Sequence, residues 1–106
     1  RLHRLFWAFA TVESSGYILA LNEKENAGGL LQIRPVMINE VNRIQDSIKF
    51  ELADRWQVER SLKIFEIIML RHNPELDIEK ACIVWNGLKS SKIYKEKIKN
   101  AYKMSL

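Results

Sequence analysis

The chain has 106 residues, a formal net charge of +4, and a hydrophobic fraction of 47%. A chain of this length is expected to form one domain, here residues 1–106. Hydrophobic residues run through the whole length, which excludes an intrinsically disordered chain. No apolar run approaches the roughly 20 residues needed to cross a bilayer, so no membrane span is expected.

The counts of cysteine and histidine argue against disulfide and metal chemistry. Cys82 is the single cysteine and cannot form an intramolecular disulfide, and its apolar neighbours Ala81 and Ile83 indicate a buried thiol. His3 and His72 lie far apart, without Cys or His at ligand spacing. We therefore expect neither a metal nor another cofactor.

The excess positive charge is concentrated near the end of the chain, where six lysines follow one another: Lys89, Lys92, Lys95, Lys97, Lys99 and Lys103. A basic surface favours an anionic partner such as nucleic acid, acidic lipid or a wall polymer, although lysines at helical spacing more often form only a solvated helix face. Glu96 and apolar residues interrupt the lysines, and there is no arginine-rich reading helix. Nucleic acid is therefore not the expected partner.

Apolar residues at helical spacing predict a first helix over residues 2–13, ended by Gly16. On a 3.6-residue period, Glu13 shares one face with Phe6 and Phe9 and should point inward. Burial beside phenylalanine disfavours the charged form of a carboxyl and raises its pKa, as a general acid requires. The alternative is a terminal-turn glutamate whose carboxylate lies in solvent.

Residues 17–33 predict a small, irregular β-hairpin or a pair of extended loops. Residues 22–26 are a polar turn candidate. Gly28 and Gly29 indicate a close backbone approach or a positive φ. The segment ends with Gln32 between apolar residues, and its amide could bind a polar group of a ligand; the alternative is a buried segment with a glycine turn.

Four more helices are predicted after this segment, each with its own start signal. Proline suits the first turn of a helix, and aspartate or serine can cap one. The second helix is predicted to begin at Arg34-Pro35, and residues 46–53 form a connector. Asp54 is the predicted cap of the third helix, which runs to about residue 71, and Asp77 that of the fourth, over about residues 78–86. Ser90 or Ser91 is predicted to cap the fifth helix, which runs to about residue 103. The fold class is therefore mainly α, with about five helices and one small β element between the first and second.

Two further features could contribute to a binding site. Trp85, Asn86 and Gly87 end the fourth helix, where an aromatic ring and an amide could stack on a ring and hydrogen-bond to it. The alternative is a core tryptophan with a C-terminal cap. Tyr94, on the last helix, could supply a hydroxyl or could lie in the core.

The order of these motifs resembles the lytic transglycosylase SLT domain and goose-type lysozyme. The motifs are Glu13-Ser14 at a helix end, Gly29-Leu-Leu-Gln-Ile after a loop, an aromatic residue followed by Asn86-Gly87, and Tyr94 on the last helix. The likeness covers nearly all of the chain. Trp85 is a departure, because the family usually has a tyrosine before that asparagine.

The resemblance implies a lysozyme-like fold and cleavage of the β-1,4 bond between N-acetylmuramic acid and N-acetylglucosamine in peptidoglycan. Glu13 becomes the acid that protonates the glycosidic oxygen. The implied substrate-binding residues are Asn22, Gln32, Trp85, Asn86 and Tyr94. The implied partner is a peptidoglycan glycan strand, met by a monomer in the periplasm or cell envelope, or by a secreted or phage-associated protein.

The mechanism stays open between two routes. In the transglycosylase route Glu13 acts alone, first as acid and then as base, and a 1,6-anhydromuramic end forms. In a lysozyme-type hydrolase a second carboxylate holds water, and Glu25 in the turn is the candidate, with Glu23 as a weaker one. Glu25 could equally be a solvated turn charge, and a third alternative is a non-catalytic peptidoglycan-binding relative.

Overall fold

A computed structural model describes residues 1–87 and 90–104. Within them it contains five α-helices, one two-stranded antiparallel sheet between the first and second helices, and a 3-10 helix. The prediction of a mainly α fold with one small β element is confirmed. The elements in chain order are α1 (Leu2–Ser14), β1 (Leu21–Asn22), β2 (Ala27–Gly28), α2 (Pro35–Ile44), the 3-10 helix (Leu52–Trp56), α3 (Val58–His72), α4 (Ile78–Asn86) and α5 (Lys92–Met104).

Helix α1 ends at Ser14, one residue after Glu13. Ser15 is in the left-handed conformation, and its N–H donates to the Thr11 carbonyl. The N–H of Gly16, at φ 82°, donates to the Ala10 carbonyl. These bonds satisfy carbonyls of the last turn and turn the chain away, so Glu13 is held near a well-defined helix end.

The strands β1 and β2 form the predicted hairpin, with Leu21 opposite Gly28 and Asn22 opposite Ala27. The predicted close approach at the glycines is confirmed. Gly29 has φ 81°, and a Cβ atom there would collide with the Arg55 carbonyl oxygen. A Cβ at Gly28 would lie 2.8 Å from the Trp56 ring. Glycine therefore lets the hairpin pack directly on the 3-10 helix.

The predicted start of the third helix at Asp54 is wrong. Asp54 lies inside the 3-10 helix, where its carboxylate accepts from the Glu51 N–H at 2.8 Å. Gln57 then adopts an extended conformation, and α3 begins only at Val58. In a sequence, an aspartate that accepts a hydrogen bond from a backbone N–H three residues earlier cannot be told apart from one that caps a helix, which explains the error.

The other predicted helix starts are confirmed. Pro35 is the first residue of α2. The Asp77 carboxylate accepts from the Lys80 N–H at 2.8 Å and caps α4. Between the two serines, Ser91 is the one at the start of α5, because its hydroxyl accepts from the Tyr94 N–H at 3.1 Å.

The core is built around aromatic rings from α1, α3 and α4. Phe65 lies at the centre, with ring centroids 5.9 Å from Phe6, 5.5 Å from Phe9 and 5.2 Å from Trp85. All four side chains are buried. The radius of gyration of 12.7 Å is close to the roughly 13 Å expected for a compact unit of this length.

Three expectations from the sequence concern Cys82, the basic segment and a membrane span. Cys82 is buried, as predicted, and burial raises the pKa of its thiol to about 11. Among the lysines of the basic segment, Lys92, Lys97 and Lys103 are exposed on α5, and Lys89 lies outside the described residues. None of the described helices combines the length and the apolar character that crossing a membrane requires.

Candidate active site

A cleft of about 400 Å³ opens where the end of α1, the hairpin, the start of α2, the end of α4 and the start of α5 meet. The structure brings every predicted site residue to this cleft: Glu13, Asn22, Glu25, Gln32, Trp85, Asn86 and Tyr94. These residues come from five separate parts of the chain. Their convergence was not implied by the spacing of any one motif.

Glu13 is a half-buried carboxyl in the wall of the cleft. Burial raises the pKa of Glu13 above its ordinary value of 4.5, because desolvation disfavours the charged form. The hydrogen bond from Tyr94 and the positive charge of Arg34 lower that pKa but do not cancel the effect of burial, and the negative charge of Glu25 raises it further. Glu13 therefore holds a proton to higher pH than an exposed glutamate does.

Tyr94 is the direct hydrogen-bond partner of this carboxyl. Its hydroxyl donates to Glu13 Oε2. Burial and the nearby Glu13 charge raise the pKa of Tyr94 well above its usual range, so the phenol remains a donor. The ring packs edge-on against Phe9, with centroids 6.3 Å apart. Tyr94 thus fixes one carboxyl oxygen of Glu13, a residue that lines the cleft.

Ser14 strengthens the helix end that carries Glu13. Its hydroxyl donates to the Ala10 carbonyl at 2.9 Å and accepts from the Gly16 N–H at 3.2 Å. The side chain is buried. One hydroxyl therefore links the last turn of α1 to Gly16, two residues beyond the end of the helix.

Glu25 and Asn22 belong to the hairpin side of the cleft. Glu25 lies in the exposed turn between the strands and lines the same cleft as Glu13. It is close enough for its charge to raise the pKa of Glu13. Asn22 lies on β1, paired with Ala27. The cleft therefore has a buried carboxyl on the helix side and an exposed carboxylate on the hairpin side.

Gln32 holds the loop together as well as lining the cleft. Its Nε2 donates to the carbonyls of Ala20 at 3.2 Å and Gly29 at 3.0 Å. Its backbone has a positive φ of 52°. Because the amide nitrogen is used in these bonds, the carbonyl Oε1 is the atom through which Gln32 would contact a ligand.

Trp85 contributes to the wall mainly as a core residue. Only 2% of its surface is exposed, and its indole N–H donates to the Leu31 carbonyl at 3.1 Å. A ring this buried anchors the Leu31 loop to α4 and exposes too little surface to stack on a ligand. Asn86, the last residue of α4, is half-buried and presents the polar group on this side.

Two cationic residues of the cleft were not among the predicted site residues. Arg34 lines it and donates through Nη2 to the Trp85 carbonyl at 3.3 Å. Lys97 lines it from α5. An arginine before a proline gives only a helix-start signal, and one lysine among several gives no signal of its own, so neither could be singled out from sequence.

A third basic residue, Arg55, does not line the cleft but donates hydrogen bonds to the segments that form its hairpin side. It is 6% exposed, and its Nη1 donates to the carbonyls of Asn26 at 2.8 Å and Ile33 at 3.1 Å, while Nε donates to the Leu52 carbonyl at 2.9 Å. Burial lowers its pKa, but an arginine stays protonated in a protein. Arg55 therefore links the hairpin turn, the Gln32 loop and the 3-10 helix.

Among the described residues, no group of three or more His, Cys, Asp or Glu side chains is arranged to hold a metal ion.

Comparisons of the chain with protein-family models, with curated proteins and with solved structures gave no significant match. The chemistry of the cleft is therefore inferred from its own residues, together with the order of motifs along the chain.

Proposed function

We propose that this protein cleaves the β-1,4 bond between N-acetylmuramic acid and N-acetylglucosamine in peptidoglycan, with Glu13 as the general acid. The observation that carries the proposal is the environment of Glu13. Its carboxyl is half-buried, accepts from Tyr94, and faces a cleft lined by amides and charged groups. A carboxyl with a raised pKa keeps its proton to higher pH and can donate that proton to a leaving oxygen.

The transglycosylase route needs only this carboxyl. Glu13 gives its proton to the glycosidic oxygen, the bond from that oxygen to C1 of the muramic sugar breaks, and the N-acetylglucosamine side leaves as an alcohol. The Glu13 carboxylate then takes the proton of the muramic 6-hydroxyl, whose oxygen closes onto C1. The product carries a 1,6-anhydro ring and Glu13 recovers its proton, so no water is consumed.

The position of Glu25 supports a second candidate function, that of a lysozyme-type hydrolase. Glu25 lines the same cleft as Glu13, from the turn of the hairpin. In that route Glu25 takes a proton from water, the water oxygen bonds to C1, and Glu13 protonates the leaving oxygen. The product then has a reducing end.

The charge of the molecule suits a wall polymer as partner. The formal net charge is +4, and Arg34 and Lys97 line the cleft itself. Peptidoglycan carries acidic peptides, and opposite charge assists encounter. We propose that the protein acts as a monomer on glycan strands in the periplasm or cell envelope, or as a secreted or phage-associated protein.

The first experiment compares wild type with Glu13→Gln on a suspension of purified peptidoglycan. We expect wild type to lower the turbidity and Glu13→Gln to be slower by roughly 10²-fold or more, as for loss of a general acid. Asn100→Asp, an isosteric amide-to-carboxyl change at an exposed position of α5, serves as a surface control and should clear the suspension like wild type. Binding without cleavage by wild type would instead identify a non-catalytic relative.

A further inference from the structure

Arg34 is a cation that the protein holds at both of its ends. Its backbone is extended, as a residue before Pro35 prefers, and its carbonyl accepts from the Met37 N–H at 2.9 Å. At the other end, Nη2 donates to the Trp85 carbonyl at 3.3 Å. This carbonyl belongs to the last turn of α4, where a positive charge is favourable. The guanidinium is therefore fixed by groups of the protein itself.

Arg34 shares the cleft with Glu13. Both residues line the same space of about 400 Å³, and the positive charge of Arg34 lowers the pKa of Glu13. Arg34 is half-buried, so solvent screens its charge less than the charge of an exposed side chain. An arginine also stays protonated in a protein. A permanent positive charge therefore acts on the carboxyl at every stage of a reaction.

The other groups around Glu13 do not replace this charge. Burial and the negative charge of Glu25 raise the pKa of Glu13, and the hydroxyl of Tyr94 lowers it through a hydrogen bond. Tyr94 carries no positive charge. Lys97 also lines the cleft, but its side chain is exposed to solvent. Arg34 therefore supplies a charge that Tyr94 lacks and that is screened less than the charge of Lys97.

The proposed reaction requires Glu13 to change its charge. Glu13 is neutral before the glycosidic bond breaks and is a carboxylate after it has protonated the leaving oxygen. A desolvated carboxylate is costly unless a positive charge or hydrogen bonds stabilise it. An acid–base catalyst also works best when its pKa lies near the operating pH. Burial and Glu25 acting without an opposing charge would make Glu13 a weaker acid.

We propose that Arg34 is a positioning residue for the reaction, and that its fixed positive charge stabilises the Glu13 carboxylate that forms when the glycosidic bond breaks. The inference rests on the proposed function, because it assigns proton transfer to Glu13. The same carboxylate forms in the transglycosylase route and in the hydrolytic route, so Arg34 has this role in both. Arg34 acts through Glu13 and needs no contact with the sugar.

The first measurement follows the ionisation of Glu13 in the free protein, without substrate. The readout is the ¹³C NMR signal of the Glu13 carboxyl, assigned by its loss in Glu13→Gln. We expect Arg34→Gln to move the titration to higher pH, and Arg34→Lys to stay closer to wild type because it keeps the charge. Lys97→Gln removes one charge from the same cleft and should cause a smaller shift, because Lys97 is exposed.

Two results of this titration would overturn the inference, whether or not the protein cleaves peptidoglycan. The first is an unchanged titration in Arg34→Gln. The second is an equal shift in Lys97→Gln, which would assign the effect to net charge instead of the fixed position of Arg34.

The second measurement is the pH profile of cleavage of soluble peptidoglycan strands. We expect Arg34→Gln to lower kcat by roughly three- to tenfold, less than the roughly 10²-fold for loss of the acid itself, and to move the alkaline limb to higher pH. Arg34→Lys should restore most of the rate. Arg71→Gln makes the same change at an exposed arginine of α3 and should alter neither quantity.

Other outcomes of the profile separate the two proposals. A raised KM with an unmoved kcat and limb would make Arg34 a substrate-binding residue. A lowered Tm with an unmoved limb would make it only a structural partner of α4. Either result would overturn the inference and leave the proposed function intact, whereas absence of cleavage by wild type would remove the proposed function and the catalytic role of Arg34 with it.

Discussion

The raised pKa of Glu13 suits the proposed chemistry but lowers the stability of the fold at neutral pH. Burial raises the pKa of its carboxyl, so the folded state binds the proton more tightly than the unfolded state does. The stability contributed by this proton is complete below the ordinary pKa of 4.5 and is lost as the pH rises through the raised value. At neutral pH, Glu13 therefore costs the fold stability.

Replacing Glu13 by Gln should for this reason stabilise the protein at pH 7. Glutamine keeps an oxygen that can accept from Tyr94 but carries no charge to desolvate. Each unit by which folding raises the pKa corresponds to about 1.4 kcal/mol. Thermal unfolding should show a higher Tm for Glu13→Gln at pH 7 and a smaller difference at pH 4. An equal or lower Tm at pH 7 would contradict the assigned environment.

Removing the Tyr94 hydroxyl should move the pH dependence of activity. The hydrogen bond from Tyr94 lowers the pKa of Glu13, so Tyr94→Phe should raise that pKa further. The alkaline limb of the kcat/KM profile should then shift to higher pH, because this limb reports loss of the proton from the acid. Tyr17→Phe, at a side chain that is 71% exposed, should leave the limb in place. A shift to lower pH for Tyr94→Phe would show that the bond does not stabilise the charged carboxyl.

The sequence indicated Glu13 because helical periodicity places it on the same face as Phe6 and Phe9. It could not indicate Arg34 or Arg55, because their roles depend on carbonyls far away in the chain. Arg55 meets Asn26 and Ile33 only after folding, 29 and 22 residues away. For Trp85 the sequence left a site position and a core position open, and its partner Leu31, 54 residues away, could not be identified before folding.

Among the secondary-structure elements, the hairpin and the 3-10 helix form the least regular part of the fold and also shape the cleft. Their contact depends on glycine at a position with no room for a side chain. Gly29 and Gly16 offer a matched comparison, because both have φ near 80° but only Gly29 faces another backbone segment.

Gly29→Ala should therefore destabilise the fold more than Gly16→Ala. A left-handed conformation costs a non-glycine residue roughly 1–2 kcal/mol, and both variants carry this cost. At Gly29 the added Cβ also collides with the Arg55 carbonyl oxygen, whereas at Gly16 it meets open space. Urea unfolding measures the difference. Equal losses for the two variants would mean that the hairpin does not pack tightly on the 3-10 helix.

Arg55→Gln should loosen the same contact from the other side. The change removes a charged group that donates to carbonyls of the hairpin turn, the Gln32 loop and the 3-10 helix. The bond to Ile33 is buried, and the bonds to Asn26 and Leu52 are partly buried. Leaving a buried carbonyl without a donor costs about 1–3 kcal/mol, so we expect a loss of at least about 1 kcal/mol in urea unfolding. Arg71→Gln, at an exposed arginine of α3, should change stability by less than about 0.5 kcal/mol. Similar effects of the two changes would contradict the role of Arg55.

The helices were largely predictable because each carries local signals. Apolar spacing located α1, Pro35 began α2, and Asp77 capped α4. Asp54 misled because an aspartate just before an apolar helical pattern is typical of a helix cap, which accepts from an N–H two or three residues later. In the structure its carboxylate accepts instead from the Glu51 N–H, three residues earlier. The extended conformation of Gln57, which separates the two helices, leaves no local signal.

At the scale of the whole molecule, the cleft exists only when remote parts of the chain meet. Glu13 lies near one end and Tyr94 is 81 residues away. The aromatic core formed by Phe9, Phe65 and Trp85 holds α1, α3 and α4 in place beneath this pair. Because the site is assembled by the core, activity and tertiary structure should be lost together on heating.

The central claim is that Glu13 acts as the acid in glycosidic bond cleavage of peptidoglycan. Mass spectrometry of soluble products after digestion by wild type and by Glu13→Gln tests it most directly. We expect muropeptides with 1,6-anhydromuramic ends from wild type and none above background from the variant. Reducing ends would assign the hydrolytic route with Glu25, and an equal yield of products from wild type and Glu13→Gln would contradict the claim.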